Sequence, residues 1–253
     1  MIASAMTRNR DHQRPSHAHF ATTHWSVVLA AGNRADSHCA EALQTLCETY
    51  WVPLYAYARQ HGHSAPDAED LTQSFLIKVI EKNLMQRADR ERGRFRSFLL
   101  TAFKNFCADV RDKDHTRNRG GQARVFSLDF GSAETRYQRE LATKDNGDRV
   151  FEHQWALTVL ETVMKQLRER YESDGKIELF EALQPCLMQA SGAIDYAALA
   201  DQLALKKGAL RVAVHRLRKR YRDLLRTEIG HTVAHENEIE DEIRHLFKVL
   251  ANQ

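Results

Sequence analysis

Residues 196–226 read YAALADQLALKKGALRVAVHRLRKRYRDLLR. The spacing predicts a short helix over 196–203, a three-residue turn, and a long helix from about Gly208 to Arg226. A helix, a tight turn and a second helix is the arrangement that lays the second helix in the major groove of DNA. The long helix is also strongly charged. Residues 206–226 hold nine bases, Lys206, Lys207, Arg211, Arg216, Arg218, Lys219, Arg220, Arg222 and Arg226, against the single acid Asp223, a net of +8. Such a helix repels itself unless it meets a polyanion, and DNA phosphates are the obvious one. The ordinary reading of a charge run is a solvated face. The near-single sign and the position directly behind a helix and turn argue against that reading here.

The whole chain hides this polarity. It has 253 residues, with 37 Lys and Arg against 34 Asp and Glu, a net of +3. Residues 227–253 hold six acids and two bases, a net of −4, so a basic helix is followed by an acidic one. Hydrophobic residues make up 43%, enough to bury a core. Only 4 prolines and 11 glycines interrupt the chain, which favours long helices over a turn-rich β fold. No strand shows convincing alternation, and no internal repeat is visible. No apolar run approaches the roughly 18 residues of a membrane span, and the N-terminus lacks a secretory apolar core. The four cysteines, Cys39, Cys47, Cys107 and Cys186, form no C-x-x-C pair. Buried free thiols in a reducing, cytoplasmic compartment are expected.

Length and periodicity together predict an all-α protein of two small helical domains joined by an irregular linker. Residues 1–19 read as a mobile tail. Thr22 or Thr23 can cap a short helix carrying Trp25, Val28 and Leu29, with Gly32 ending it. Leu43, Leu46, Cys47, Tyr50, Leu54, Tyr57 and Ala58 share one helix face, with Pro53 expected to kink or restart the helix. Pro66 and Asp67 open a second helix, whose inner face is Leu71, Phe75, Val79 and Ile80. After a charged loop at 84–93, a third helix carries Phe95, Phe98, Leu99, Ala102, Phe103, Phe106 and Val110. These helices make residues 20–113 the first domain. Periodicity fails over 114–149, read as the linker, with 125–128 as a segment able to dock. It returns with Phe151, Trp155, Val159, Val163 and Leu167, then Ile177, Phe180, Leu183 and Leu187. Residues 150–227 form the second domain, ending in the helix-turn-helix. Residues 228–253 are an acidic amphipathic helix with Ile239, Ile243, Leu246, Phe247 and Leu250 on one side.

A second basic zone lies in the first domain. Residues 87–119 hold ten Lys or Arg against five acids, a net of +5. On the third helix Arg96, Lys104 and Arg111 fall away from the phenylalanine stripe, giving an oily inner and a cationic outer face. The phenylalanines have the spacing of a core stripe; the other reading is stacking on single-stranded bases. Asp67, Glu69 and Asp70 open the second helix, and Gln73 follows one turn on. Dipole compensation is the simple account, and a docking face for a basic protein partner is the functional one.

Three segments in order resemble bacterial extracytoplasmic-function sigma factors of the sigma-70 family. Residues 67–73 (DAEDLTQ) look like the polymerase-binding segment of that family. Residues 95–111 (FRSFLLTAFKNFCADVR) resemble its promoter-melting and −10 helix, and residues 196–222 align without a gap to its C-terminal helix-turn-helix. The resemblance implies a protein that joins core RNA polymerase, directs it to promoters and helps open the DNA. It assigns polymerase binding to Asp67, Glu69, Asp70 and Gln73. It assigns the −10 element, as locally melted DNA, to Arg94, Arg96, Lys104, Asn105 and Arg111. The −35 element, as double-stranded DNA, falls to Lys206, Lys207, Arg211, His215, Arg216, Arg218 and Lys219. An anti-sigma factor or other inhibitor is a further implied partner. There are departures. Ser74 stands where the family usually has Glu, Ala204 where the turn has Gly, and Lys206 where a Ser caps the next helix. Ala209, Val212 and Ala213 replace polar positions, leaving Arg211, His215 and Arg216 as the main readers of base edges.

Other chemistries find less support. His17, His19 and His24 form one loose histidine group, and His231, His235 and His245 another. Neither has a zinc-site pattern, so no metal or cofactor is expected. No phosphate-cradling glycine loop or nucleophile elbow is present, and no enzyme activity is expected. The alternative is a helix-turn-helix regulator that binds DNA without polymerase, although no dimerisation heptad is visible. The acidic helix has three readings: binding a partner, as in a structural or adaptor protein, packing on the second domain, or masking Arg218 to Arg222 until DNA or polymerase displaces it.

Overall fold

Helix α1 (Cys39–Gln60) runs through Pro53 without the restart that was one expectation there. Proline forgoes one backbone hydrogen bond. The flanking Tyr50, Trp51, Val52, Leu54 and Tyr55 are all buried, so tertiary packing holds the segment helical. Gly62, at φ +86°, takes the left-handed turn beyond it. The computed structural model describes residues 31, 33, 37, 39–81, 84, 88, 93–114, 129–140, 146–189, 192–230, 233 and 235–251. The tail at 1–19, the helix capped by Thr22 or Thr23, the segment 125–128 and His17, His19, His24 and His231 lie outside the described residues, as do Arg87, Arg90, Arg92, Arg117 and Arg119.

Helix α2 (Ala65–Glu81) is opened by Ser64, which the sequence reading passed over. The Ser64 hydroxyl accepts from the Asp67 amide at 3.3 Å and donates to the Asp67 carboxylate at 2.6 Å. This is a reciprocal cap, and Pro66 in the first turn sacrifices no helical bond. Its buried face is Ala68, Leu71, Thr72, Phe75, Leu76 and Val79. Helix α3 (Phe95–Asp114) meets it with the phenylalanine stripe. Phe75 lies 5.0 Å from Phe103 and 5.6 Å from Phe106, centroid to centroid, and Tyr50 lies 5.5 Å from Phe95 edge-on. Phe95 and Phe103 have no exposed surface, which assigns the stripe to the core. Truncating such a ring costs about 3–5 kcal/mol.

The stretch read as irregular contains a helix, α4 (Phe130–Glu140). Its apolar residues are only Phe130, Ala133 and Tyr137, too sparse to show as a stripe among charges. They seat α4 on α1: the Phe130 ring lies 5.1 Å from that of Trp51 and 5.5 Å from that of Tyr55. Asp129 caps the first turn, accepting from the Ser132 amide at 3.1 Å.

Helix α5 (Gly147–Ser173) begins on the Asn146 cap and is the central strut. Phe151, Trp155, Ala156, Val163 and Leu167 are fully buried. It packs along α1 on one side and supports the C-terminal helices on the other. These are α6 (Ile177–Leu183) with a 3-10 turn over Gln184–Leu187, α7 (Tyr196–Gln202), α8 (Lys207–Gly230), a 3-10 turn over Glu236–Glu238, and α9 (Ile239–Ala251). Every regular element among the described residues is helical. One contiguous apolar cluster runs from α1, α2 and α3 through α5 to α8 and α9. Cys47, Cys107 and Cys186 are buried within it, and burial pushes the Cys47 thiol up to about 12 and that of Cys107 to about 11.

Candidate nucleic-acid interface

The pair α7 and α8 begins with Asp195, whose carboxylate accepts from the amides of Ala197 and Ala198 at 3.0 and 3.1 Å. Leu203 to Lys206 form the turn, with Ala204 at φ +51°. Leu210, Val214, Leu217, Leu224 and Leu225 turn inward from α8. The opposite side presents Lys207, Arg211, His215 and Lys219, all exposed and recurring every four residues, with Lys206 and Arg216 exposed beside them. These form a cationic stripe along one side of the helix. The Arg211 guanidinium lies 5.6 Å from the Tyr196 ring, which ties the stripe to α7. Val212 stands within it, 48% exposed.

Arg218 belongs elsewhere. Its guanidinium donates to the Cys186 carbonyl at 2.7 and 3.1 Å and to the Gln189 carbonyl at 2.5 Å, fastening α8 to the turn after α6. Arg220 stacks over Tyr171 at 5.1 Å and lies 3.5 Å from Asp174. Among the described residues, Lys219 and Arg222 are exposed rather than covered by the acidic C-terminal segment. That segment meets the basic helix at Arg226, which is ion-paired with Glu240.

On α2, the face away from the core holds Glu69, Asp70 and Gln73, with Asp70 exposed and the other two half-buried. The Gln73 amide donates to Glu69 at 3.2 Å. Asp67 is engaged in the helix cap. The helices that α2 packs on are α1 and α3, on its other sides. An acidic strip therefore faces outward beside the Asp67 cap.

Helix α3 departs most from expectation. Asn105 and Arg111 are exposed, as a cationic outer face requires. Arg96 is not: it is 2% exposed, because α5 and α9 cover the side opposite the phenylalanines. Its Nε donates to both Glu152 oxygens at 3.0 and 2.8 Å, its guanidinium is ion-paired with Glu242, and it lies 4.1 Å from the Trp155 ring. Burial pulls the Arg96 guanidinium below its ordinary value, and Glu152 opposes that shift. Arg94 reaches the same Glu242 at 2.9 Å, and Lys104 bridges to Asp148 at 2.7 Å. Glu152, Asp148 and Glu242 were all missed in the sequence. Glu242 alone left a signal there: it stands three residues after Ile239 and four before Leu246, an acid set inside an apolar stripe.

Among the described residues, an acidic surface on α2 and a basic one on α8 thus point outward, while Arg96 of α3 is held inside. Among the described residues, no three His, Cys, Asp or Glu side chains converge as a metal site, and no helix is long and apolar enough to cross a membrane. Residues 46–117, spanning much of α1 and all of α2 and α3, match the family model of Sigma-70 region 2. That match supports a sigma-70-type role in binding core RNA polymerase and melting promoter DNA. No curated protein and no solved structure matches the chain.

Proposed function

We propose that this chain is a sigma factor of the extracytoplasmic-function type. It joins core RNA polymerase, brings it to promoters and helps to open the DNA. The match of residues 46–117 to Sigma-70 region 2 carries this reading, and favours it over a regulator that works without polymerase. The outward acidic strip of Glu69, Asp70 and Gln73, with Asp67 at its head, is the polymerase-binding face. Arg94 and helix α3, through Arg96, Lys104, Asn105 and Arg111, supply the −10 contacts. Helices α7 and α8 act as a helix-turn-helix on the −35 element, with Lys206, Lys207, Arg211, His215, Arg216 and Lys219 toward the duplex. Val212, exposed among these cations, suits a thymine methyl group. Residues 20–113 and 150–227 act as two modules on one promoter, with 114–149 between them.

The polymerase face can be tested directly. Asp70→Lys combined with Gln73→Lys is expected to weaken binding to purified core polymerase about tenfold, equivalent to about 1.4 kcal/mol. Both positions lie on the solvent side of α2, so stability is expected to move by less than about 0.5 kcal/mol. Unchanged binding, read by co-elution in gel filtration, would favour the polymerase-independent regulator.

A further inference from the structure

Helix α9 lies where the sigma reading needs DNA. Glu242 has no exposed surface, yet its carboxylate is ion-paired with both Arg94 and Arg96. One turn on, Leu246 is also fully buried, and His245 Nε2 sits 3.1 Å from the Glu152 carboxylate that holds Arg96 from the other side. The head of α3 is therefore gripped by two carboxylates, one from α5 and one from α9.

Stability alone does not account for this choice. Two charges taken out of water repay their desolvation only with good geometry, and an apolar pair of similar volume often does as well or better. A carboxylate against two arginines does something an apolar pair does not, because it occupies them as a phosphate would. The segment that supplies it is the acidic one, with a net of −4 over 227–253. The strip of Glu69, Asp70 and Gln73 stays on the outside of α2 while α9 is in place.

We propose that α9 is an intramolecular stand-in for DNA: Glu242 holds Arg94 and Arg96 in the free protein, and α9 must detach before promoter DNA reaches them. The proposal rests on the sigma reading of α3. Core polymerase can dock on α2 first, with α9 still seated, and DNA then competes with Glu242 for the arginines.

Two full-length variants test it. Glu242→Gln removes the charge and keeps the shape. Leu246→Ala keeps the charge and loosens the packing. Each is measured for affinity to a labelled single-stranded oligonucleotide, for hydrogen exchange over 239–251, and for far-UV circular dichroism to establish that the helices persist. Both variants are expected to raise exchange in α9 and to tighten oligonucleotide binding about tenfold, as when a competent state rises from a tenth of the population to most of it. Raised exchange with unchanged affinity would overturn the proposal. So would tighter binding in Glu242→Gln alone with α9 still protected, since that is a net-charge effect. Core polymerase binding by the same proteins separates the two claims. Its absence in the wild type sinks the sigma reading, whereas its presence with unchanged oligonucleotide affinity sinks the stand-in alone.

Discussion

Ala204 holds a left-handed backbone, φ +51°, in the turn between α7 and α8. A β-carbon there costs about 1–2 kcal/mol through its clash with the following carbonyl. Ala204→Gly is expected to stabilise the chain by about 1 kcal/mol in urea unfolding, after the extra chain entropy of glycine is subtracted. A destabilised variant would mean that the turn is not strained. Glu134 gives a pH test. It accepts from Arg59 Nε and Nη2, both at 2.8 Å, and from the Tyr55 hydroxyl at 2.5 Å. The Arg59 hydrogen bonds pull its carboxyl from 4.5 down to about 2, with Tyr55 and Gln138 adding to the shift against burial. The folded carboxylate is thus protonated later than the unfolded one. Its stabilisation is complete above about pH 4.5 and is lost as pH falls toward 2. Glu134→Gln is expected to lower the thermal midpoint at neutral pH and to flatten its fall across that acid range. Parallel pH curves for the two proteins would contradict the assignment.

Among the helices, strong periodicity was legible. The inner faces of α1, α2 and α3 were readable in outline, through Leu46, Tyr50, Leu54, Leu71, Phe75, Val79, Phe95, Leu99 and Phe103, because each helix offers a bulky apolar side chain every three or four positions, whereas the half-burial of Ile80 and the burial of Trp51, Tyr55 and Leu76 were not. Helix α4 was not, since Phe130, Ala133 and Tyr137 are three apolar residues among charges and their partners, Trp51 and Tyr55, lie far back in the chain. Arg96 was misplaced for a related reason. Its own helix puts it on the polar side, and only the packing of α5 and α9 turns that side inward. The cationic stripe of α8 was legible because charge spacing on one helix needs no tertiary knowledge, whereas the turn of Arg218 toward the Cys186 carbonyl depends on α6. The stripe carries its own prediction. Arg216→Ala with Lys219→Ala is expected to weaken duplex binding and to lower the salt slope by about two, one for each lost phosphate contact. Both residues are exposed on α8, so the fold should persist. An unchanged slope in titrations across salt concentrations would remove them from the interface.

In the molecule as a whole, one apolar cluster is shared by the helices that match Sigma-70 region 2 and those that carry the basic stripe. Helix α5 is the reason. It buries Phe151, Trp155 and Val163 and lies between α1 and the C-terminal helices. The charges follow the same plan: acidic Asp70 and basic Arg216 face outward at separate places, while Arg96 sits inside against Glu152 and Glu242. As the sigma factor proposed above, the molecule meets a large enzyme and a duplex at once. Run-off transcription with purified core polymerase on a panel of genomic fragments tests this most directly. The account predicts discrete transcripts from a subset of fragments, only when the chain is added. Transcripts from none of them, by a protein that still binds the duplex, would contradict it.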